Sequence, residues 1–449
     1  MLNQLRLLRD VSALALIAVT WRLWFSASDF PAVPLFSFLT DVHRSVDRIL
    51  SGLLVTSLLI DAAVAALRVT RRGNSAVLDQ REWACGLVFV LSALTLILLN
   101  QHCLQPWMYH FLILTPLLWI DARRLDATSD LEQSERRQSS VRGSSEFSRR
   151  AIIWLTASIY MWSAWSKLDA SFLHSHGPKF VSAICEATEI PTRFWSDRSW
   201  LIAAALLPVG ELLVGAALLF RKSRAYGLAA SLAMHLLLMV AVGPWGLNHE
   251  AGVLLWNGYF TMQNVILFAA ERRSSAESDQ LNNDPMVGES PSSWASRSTS
   301  QFGVLAVLIG AILFPAFRAV GCCDTWPAWA VYASSPARVL VQVHDVSVET
   351  LPEQMQKFVE RRQLNDGWSW LRIDLWSLAA TGTPLYPDDR FQLGVARFVV
   401  QETEPGDGIR IIYEEEADRW TGERKRNEFQ GKTEISGVAA NFLFNSKPR

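Results

Sequence analysis

Ionisable side chains are costly inside apolar runs, so those found there are the first candidates for chemistry. Four stand out in this sequence: Asp61, His110, Glu211 and His235. Glu211 and His235 lie deepest within their runs. A carboxylate and an imidazole at that depth suit proton transfer or contact with a polar ligand. Each of the four equally suits a plainer role, a hydrogen bond between neighbouring helices. A fifth candidate, Lys167, lies near the end of Tyr160-Met161-Trp162-Ser163-Ala164-Trp165-Ser166-Lys167-Leu168-Asp169. A lysine drawn out of water has a lowered pKa and can act as a base. A lysine at a helix end also simply extends its amine to the interface. His174 and His176 have a loose metal-ligand spacing but no companion ligands, and no metal site is expected. The sequence holds no phosphate-binding glycine loop, no Cys-x-x-Cys pair and no zinc-protease helix motif.

The elements that position these residues read as membrane-crossing helices. The mean hydropathy is only +0.16, but the charge is unevenly spread. From Trp83 to Ile120 there is no Asp, Glu, Lys or Arg. A helix apolar on all sides is expected in a bilayer and not on a soluble surface. Nine candidate spans follow, at roughly 11–29, 49–68, 83–100, 104–120, 151–167, 200–220, 225–243, 251–270 and 302–319. Trp24, Trp83, Trp107, Trp200 and Trp256 sit near their ends, where an amphipathic ring favours the interface. Arg22 interrupts the first span. A signal peptide is the alternative there, with Arg6 and Arg9 as its charged end and Ser26-Ala27-Ser28 as a poor cleavage site. The net charge of −1 gives no basic field for nucleic acid.

Lys and Arg concentrate in the N-terminus, 68–82, 121–150, 221–224 and 271–301. The positive-inside rule puts these in the cytoplasm and the C-terminal domain outside. Cys103, Cys185, Cys322 and Cys323 then share the outer, oxidising side, as do His43, His102, His174, His176, His249 and His344. Disulfides among the four cysteines fit that placement, and so do free, partly buried thiols. Cys85 falls at the other end of its helix.

Two polar segments, 121–150 and 271–301, read as mobile linkers. The division expected is a transmembrane helical domain over 1–320 and a small α+β or β-rich domain over 321–449. In the latter, Val339–Val348, Phe391–Gln401 and Gly408–Tyr413 alternate as strands do, and Glu349–Arg362 reads as one amphipathic helix. Asp388, Asp389, Gly406 and Asp407 mark turns.

Three stretches resemble the vitamin K-dependent γ-carboxylases and their bacterial relatives, the horizontally transferred transmembrane group. Tyr160–Phe172 resembles their signature helix, Tyr-Phe-x-Ala-Gly-x-x-Lys-Leu-Asp/Asn, with Ser163-Ala164 in place of Ala-Gly and Trp165 following. Met234-His235-Leu236 with Gly243-Pro244 resembles a later helix, and Gln105–His110 the fourth-span region. The resemblance implies a quinone cofactor and oxygen-driven carboxylation. It implies Lys167 as base and His235 at the cavity wall. Together with the ionisable residues of neighbouring spans, this makes His235 and Glu211 the expected proton carriers or cavity ligands, with Trp107, His110, Tyr160 and Trp162 expected against the cofactor. A second resemblance, of Pro208-Val209-Gly210-Glu211-Leu212 and the Gly-Ala-rich run after it, is to the DoxX and MauE group. That group implies a redox-associated component acting with an exported protein partner rather than a catalyst. Both imply the inner membrane of a bacterium. A scaffold that displays the C-terminal domain is the third possibility.

Overall fold

The computed structural model describes residues 1–449 except 71–75, 120–132, 282–298, 362–366 and 404–405. Among the described residues, twelve α-helices precede the C-terminal domain. They are α1 (Leu2–Val19), α2 (Trp21–Trp24), α3 (Ser45–Thr70), α4 (Ala76–Leu99), α5 (Pro106–Trp119), α6 (Gln133–Lys167), α7 (Ala170–His174), α8 (His176–Ala187), α9 (Asp197–Leu219), α10 (Arg224–Val242), α11 (Ala251–Leu281) and α12 (Thr299–Leu313). Among the described residues, five stretches are long and apolar enough to cross a membrane: Ser45–Thr70, Arg81–Leu99, Asp197–Leu219, Arg224–Val242 and Phe302–Val320. The chain is therefore a membrane protein.

The other four expected spans fall short of that standard for visible reasons. Helix α1 carries Arg6, Arg9 and Asp10. Helix α5 is described over 14 residues, and position 120, the end of the expected span, lies outside the described residues. Helices α6 and α11 turn polar side chains inward, among them Thr156, Tyr160, Asn257, Gln263 and Asn264.

The first helix belongs to the bundle core, with Leu5, Ala13 and Leu16 buried. Its arginines are buried too. Arg9 donates from Nε to Asp10 at 2.8 Å, from Nη1 to Thr115 of α5 at 2.9 Å and from Nη2 to Asp61 of α3 at 2.5 Å. Arg6 pairs with Glu82 of α4, which Arg68 approaches at 3.0 Å. Asp61 thus takes the plainer of its two roles and ties α3 to α1. Arg6, Arg9 and Arg68 serve buried pairs and do not mark a loop.

The expected linkers are partly helical: α6 begins at Gln133, α11 runs to Leu281 and α12 begins at Thr299. The remainder of each, 121–132 and 282–298, lies outside the described residues.

The C-terminal domain carries a five-stranded antiparallel sheet, in order β2-β3-β1-β4-β5. Its strands are β1 (Arg338–His344), β2 (Val359–Glu360), β3 (Trp368–Leu371), β4 (Ile409–Glu414) and β5 (Arg426–Gln430). Around it lie α13 (Glu353–Gln356), α14 (Ile373–Thr381), α15 (Asp389–Glu402) and α16 (Gly431–Val438).

Two expectations fail here. Phe391–Gln401 is helical, because Phe391, Val395 and Val399 recur every four residues and all bury against β1 and β4. The stretch Glu349–Arg362 breaks into the end of a 3-10 turn, the single turn α13 and strand β2, with Arg362 outside the described residues. Pro352 starts α13, and Phe358 returns its carbonyl to Arg372 beside β3. The core of this domain also takes in Phe30 and Val33 from the loop after α2.

All five cysteines are free thiols, so no disulfide links Cys103, Cys185, Cys322 and Cys323. Three of the four are buried in separate places: Cys103 against the bundle core, Cys185 on α8 and Cys323 beside Ala328 and Ala330. Burial and the neighbouring Asp324 push the Cys323 thiol up to about 12.

Candidate functional site

Helices α6 and α9 approach closely because Gly215 has no side chain. A Cβ there would lie 3.1 Å from the Ala157 carbonyl and 3.1 Å from the Tyr160 Cβ. This contact sets the α6 face that carries Tyr160, Ser163 and Lys167 beside Glu211 on α9. Those three residues recur at helical spacing and point into one space. The Lys167 Nζ donates to Glu211 Oε2 at 2.6 Å and to Ser163 Oγ at 2.6 Å. The pair is mostly enclosed, at 13% and 15% exposure.

Deeper in the bundle a second group forms around His235 of α10. Asn257 of α11 donates from Nδ2 to the Val253 carbonyl, which turns its Oδ1 toward His235 Nδ1 at 3.0 Å. His235 Nδ1 therefore carries the proton, and Nε2 accepts from the Tyr160 hydroxyl at 2.7 Å. Asn264 donates to that Tyr160 oxygen at 2.7 Å and to Ser231 at 3.2 Å. Phe260 stacks on the imidazole, with centroids 5.6 Å apart and planes 7° apart.

Both groups line one cavity of about 660 Å³ between the bundle and the C-terminal domain. That volume suits a small organic ligand. Its apolar wall includes Trp107, Trp256, Phe260 and Trp329. Its roof is the strap Thr325–Ala333 together with Leu375, Leu378 and residues 382–385 of the C-terminal domain.

Of the residues singled out from sequence, the cavity joins Lys167, Glu211, His235, Tyr160 and Trp107. His110 and Trp162 are not among its lining. His110 is buried behind it, bonded to the Tyr259 hydroxyl at 3.1 Å and to Gln263 Oε1 at 3.1 Å. Trp162 faces the other side of α6 and donates to the Ile312 carbonyl at 2.8 Å. His174 is exposed, whereas His176 lines the cavity, so the two do not share a site. Among the described residues no group of three or more His, Cys, Asp or Glu could hold a metal ion.

Sequence reading missed Asn257, Phe260, Asn264 and the strap. One signal was available: Asn257 and Asn264 stand seven residues apart in an apolar run, hence on one helix face.

The family model for methylamine utilisation protein MauE matches residues 145–247. The match covers less than a quarter of the chain and spans α7 to α10 with most of α6. It contains Tyr160, Lys167, Glu211 and His235, while Trp107, Asn257 and the roof lie outside it. No curated protein and no solved structure matches the chain. Of the two resemblances, the MauE one is thereby supported, and the carboxylase one gains nothing.

Proposed function

We propose that this is a membrane protein of the MauE-like, redox-associated kind, whose cavity binds a lipophilic quinone for the maturation of an exported protein. The observation that carries the reading is the cavity itself. Its surface is mostly apolar and carries several aromatic rings, and the hydrogen-bonded pairs Lys167–Glu211 and Tyr160–His235 stand in its wall. Flat aromatic walls with a few placed donors suit a flat ring that bears oxygens. When bound, a quinone supplies a carrier of two electrons and two protons.

The chain's own residues have defined tasks in this reading. Lys167 offers an ammonium donor to a ring oxygen, and Glu211 holds that charge in place in a site of low dielectric. Tyr160 and His235 form a fixed donor–acceptor pair that can pass a proton along the same wall. Trp107, Trp256 and Phe260 exclude water and orient the ring. No cysteine lines the cavity among the described residues. The dithiol or other electron donor is therefore assigned to the exported partner. Carboxylation is not part of the proposal. The site lies on the C-terminal-domain side, which we assign to the outside of a bacterial inner membrane, with the N-terminus in the cytoplasm.

Mass spectrometry of lipids that copurify with the protein tests the reading. A quinone in near-stoichiometric amount, reduced severalfold in Lys167→Met, is the expected result. An empty cavity that also fails to take up added ubiquinone or menaquinone rejects it. Protease treatment of intact spheroplasts tests the orientation, because an outward C-terminal domain is digested before the membrane is broken.

A further inference from the structure

The proposed function leaves one part of the cavity wall without a task. Beside the strap, His176 of α8 and His249 of the loop after α10 both line the space. Each imidazole is tied by one nitrogen only. His176 Nδ1 bonds to the Ser334 hydroxyl, and His249 Nδ1 lies 3.3 Å from the Tyr332 hydroxyl. Neither Nε2 has a hydrogen-bond partner among the described residues.

The backbone works to keep this arrangement. Tyr332 has a φ of +64°, a left-handed conformation that a bulky side chain rarely adopts. Strain of this kind persists where the surroundings over-determine a functional geometry. Phe180 packs edge-on against the Tyr332 ring at 5.0 Å, and Arg424 of the C-terminal domain donates to the Ser334 carbonyl. The strap and the Ser334 that closely follows it are thus held from two sides, and together they fix both imidazoles. Burial pulls both below the ordinary histidine value. Near neutral pH they are uncharged, and each Nε2 is free to donate or accept.

We propose that His176 and His249 form a second hydrogen-bonding pole, which receives the far oxygen of a ring ligand with oxygens at both ends, a para-quinone or its quinol. The inference rests on the proposed quinone reading and extends it. It assigns one ring oxygen to Lys167 and Tyr160 and the opposite one to the two imidazoles. A ligand with a single oxygen satisfies one pole and leaves the other bare, and a bare polar pole costs affinity.

The test uses the full chain in lipid nanodiscs and equilibrium dialysis without oxygen, with empty nanodiscs as the blank. The probes are durohydroquinone and durenol, the same tetramethyl ring with two hydroxyls and with one. The wild type is expected to bind durohydroquinone about tenfold more tightly, the worth of one hydrogen bond to a buried site. The His176→Leu/His249→Leu double variant should bring durohydroquinone down to the durenol level and leave durenol unchanged. Equal binding of both probes by the wild type overturns the second pole and leaves the quinone reading standing. A preference that survives in the double variant also overturns it. Binding of neither probe removes the quinone reading and the pole together. Where the variant does not fold, equal binding of the two probes by the wild type still overturns the pole.

Discussion

Lys167 and Glu211, 44 positions apart in the chain, meet across α6 and α9 with 2.6 Å between Nζ and Oε2. The contact joins the lysine of one sequence resemblance to the glutamate of the other. An enclosed ion pair of this kind is costly to break from one side, because the remaining partner is left without its hydrogen bond.

That dependence gives the first prediction. Lys167→Met and Glu211→Gln should each destabilise the protein, and the double variant should lose less than the two single losses combined. A coupling of about 1–3 kcal/mol is expected from a double-mutant cycle on thermal melts in detergent. A coupling near zero would show that the pair is not formed.

Tyr160 is the hub of the deeper group. Tyr160→Phe leaves His235 Nε2 without a donor and Asn264 without that acceptor. A loss of about 1–3 kcal/mol in stability is expected, the cost of unpaired buried groups. Quinone retention should fall with it, read by mass spectrometry of the copurified lipids.

Glycines 210 and 215 lie on the same helix and should behave oppositely. A Cβ at Gly215 meets α6 at 3.1 Å, and a Cβ at Gly210 meets nothing within 4 Å. Gly215→Leu should abolish folded expression because it forces the two helices apart, as small residues permit their approach. Gly210→Ala should leave the melting temperature unchanged or slightly raised, since it restricts the unfolded chain.

Arg9 holds two carboxylates and a hydroxyl with three of its nitrogens. Arg9→Met should cost about 3–5 kcal/mol, because Asp10 and Asp61 then face each other without a cation. Arg9→Lys should rescue only part of this, as an ammonium does not reproduce the fork. Melting of the purified variants distinguishes the two.

Asp388, which accepts from the Thr325 amide and hydroxyl, is pushed up to about 7 by burial and by Asp324. A carboxyl raised above its unfolded value of 3.8 binds a proton more readily in the folded state. Its contribution is complete below that unfolded value and is lost as the pH rises through about 7. Asp388→Asn should therefore flatten the decline in melting temperature across this window. An equally steep decline in the variant would place the cause elsewhere.

The sequence by itself determined that the chain enters a membrane, because runs such as Trp83–Ile120 have no charge with which to stay in water. It also marked Glu211 and His235, since a polar group in an apolar run stands out before any contact is known, while Lys167, Tyr160 and Trp107 entered through the stretches that resemble a known family. It could not tell Trp107 from Trp162, because which face of a helix meets the cavity depends on the neighbouring helices. Nor could it tell that Asp61 answers Arg9 rather than a ligand, or that Phe391–Gln401 coils. Alternation at period two and a short amphipathic helix overlap over ten residues, and the sheet beside it settles the matter. The strap, the free thiols and the presence of His176 and His249 in one cavity wall arise only from tertiary packing. Each depends on contacts between residues far apart in the chain, which local spacing does not encode.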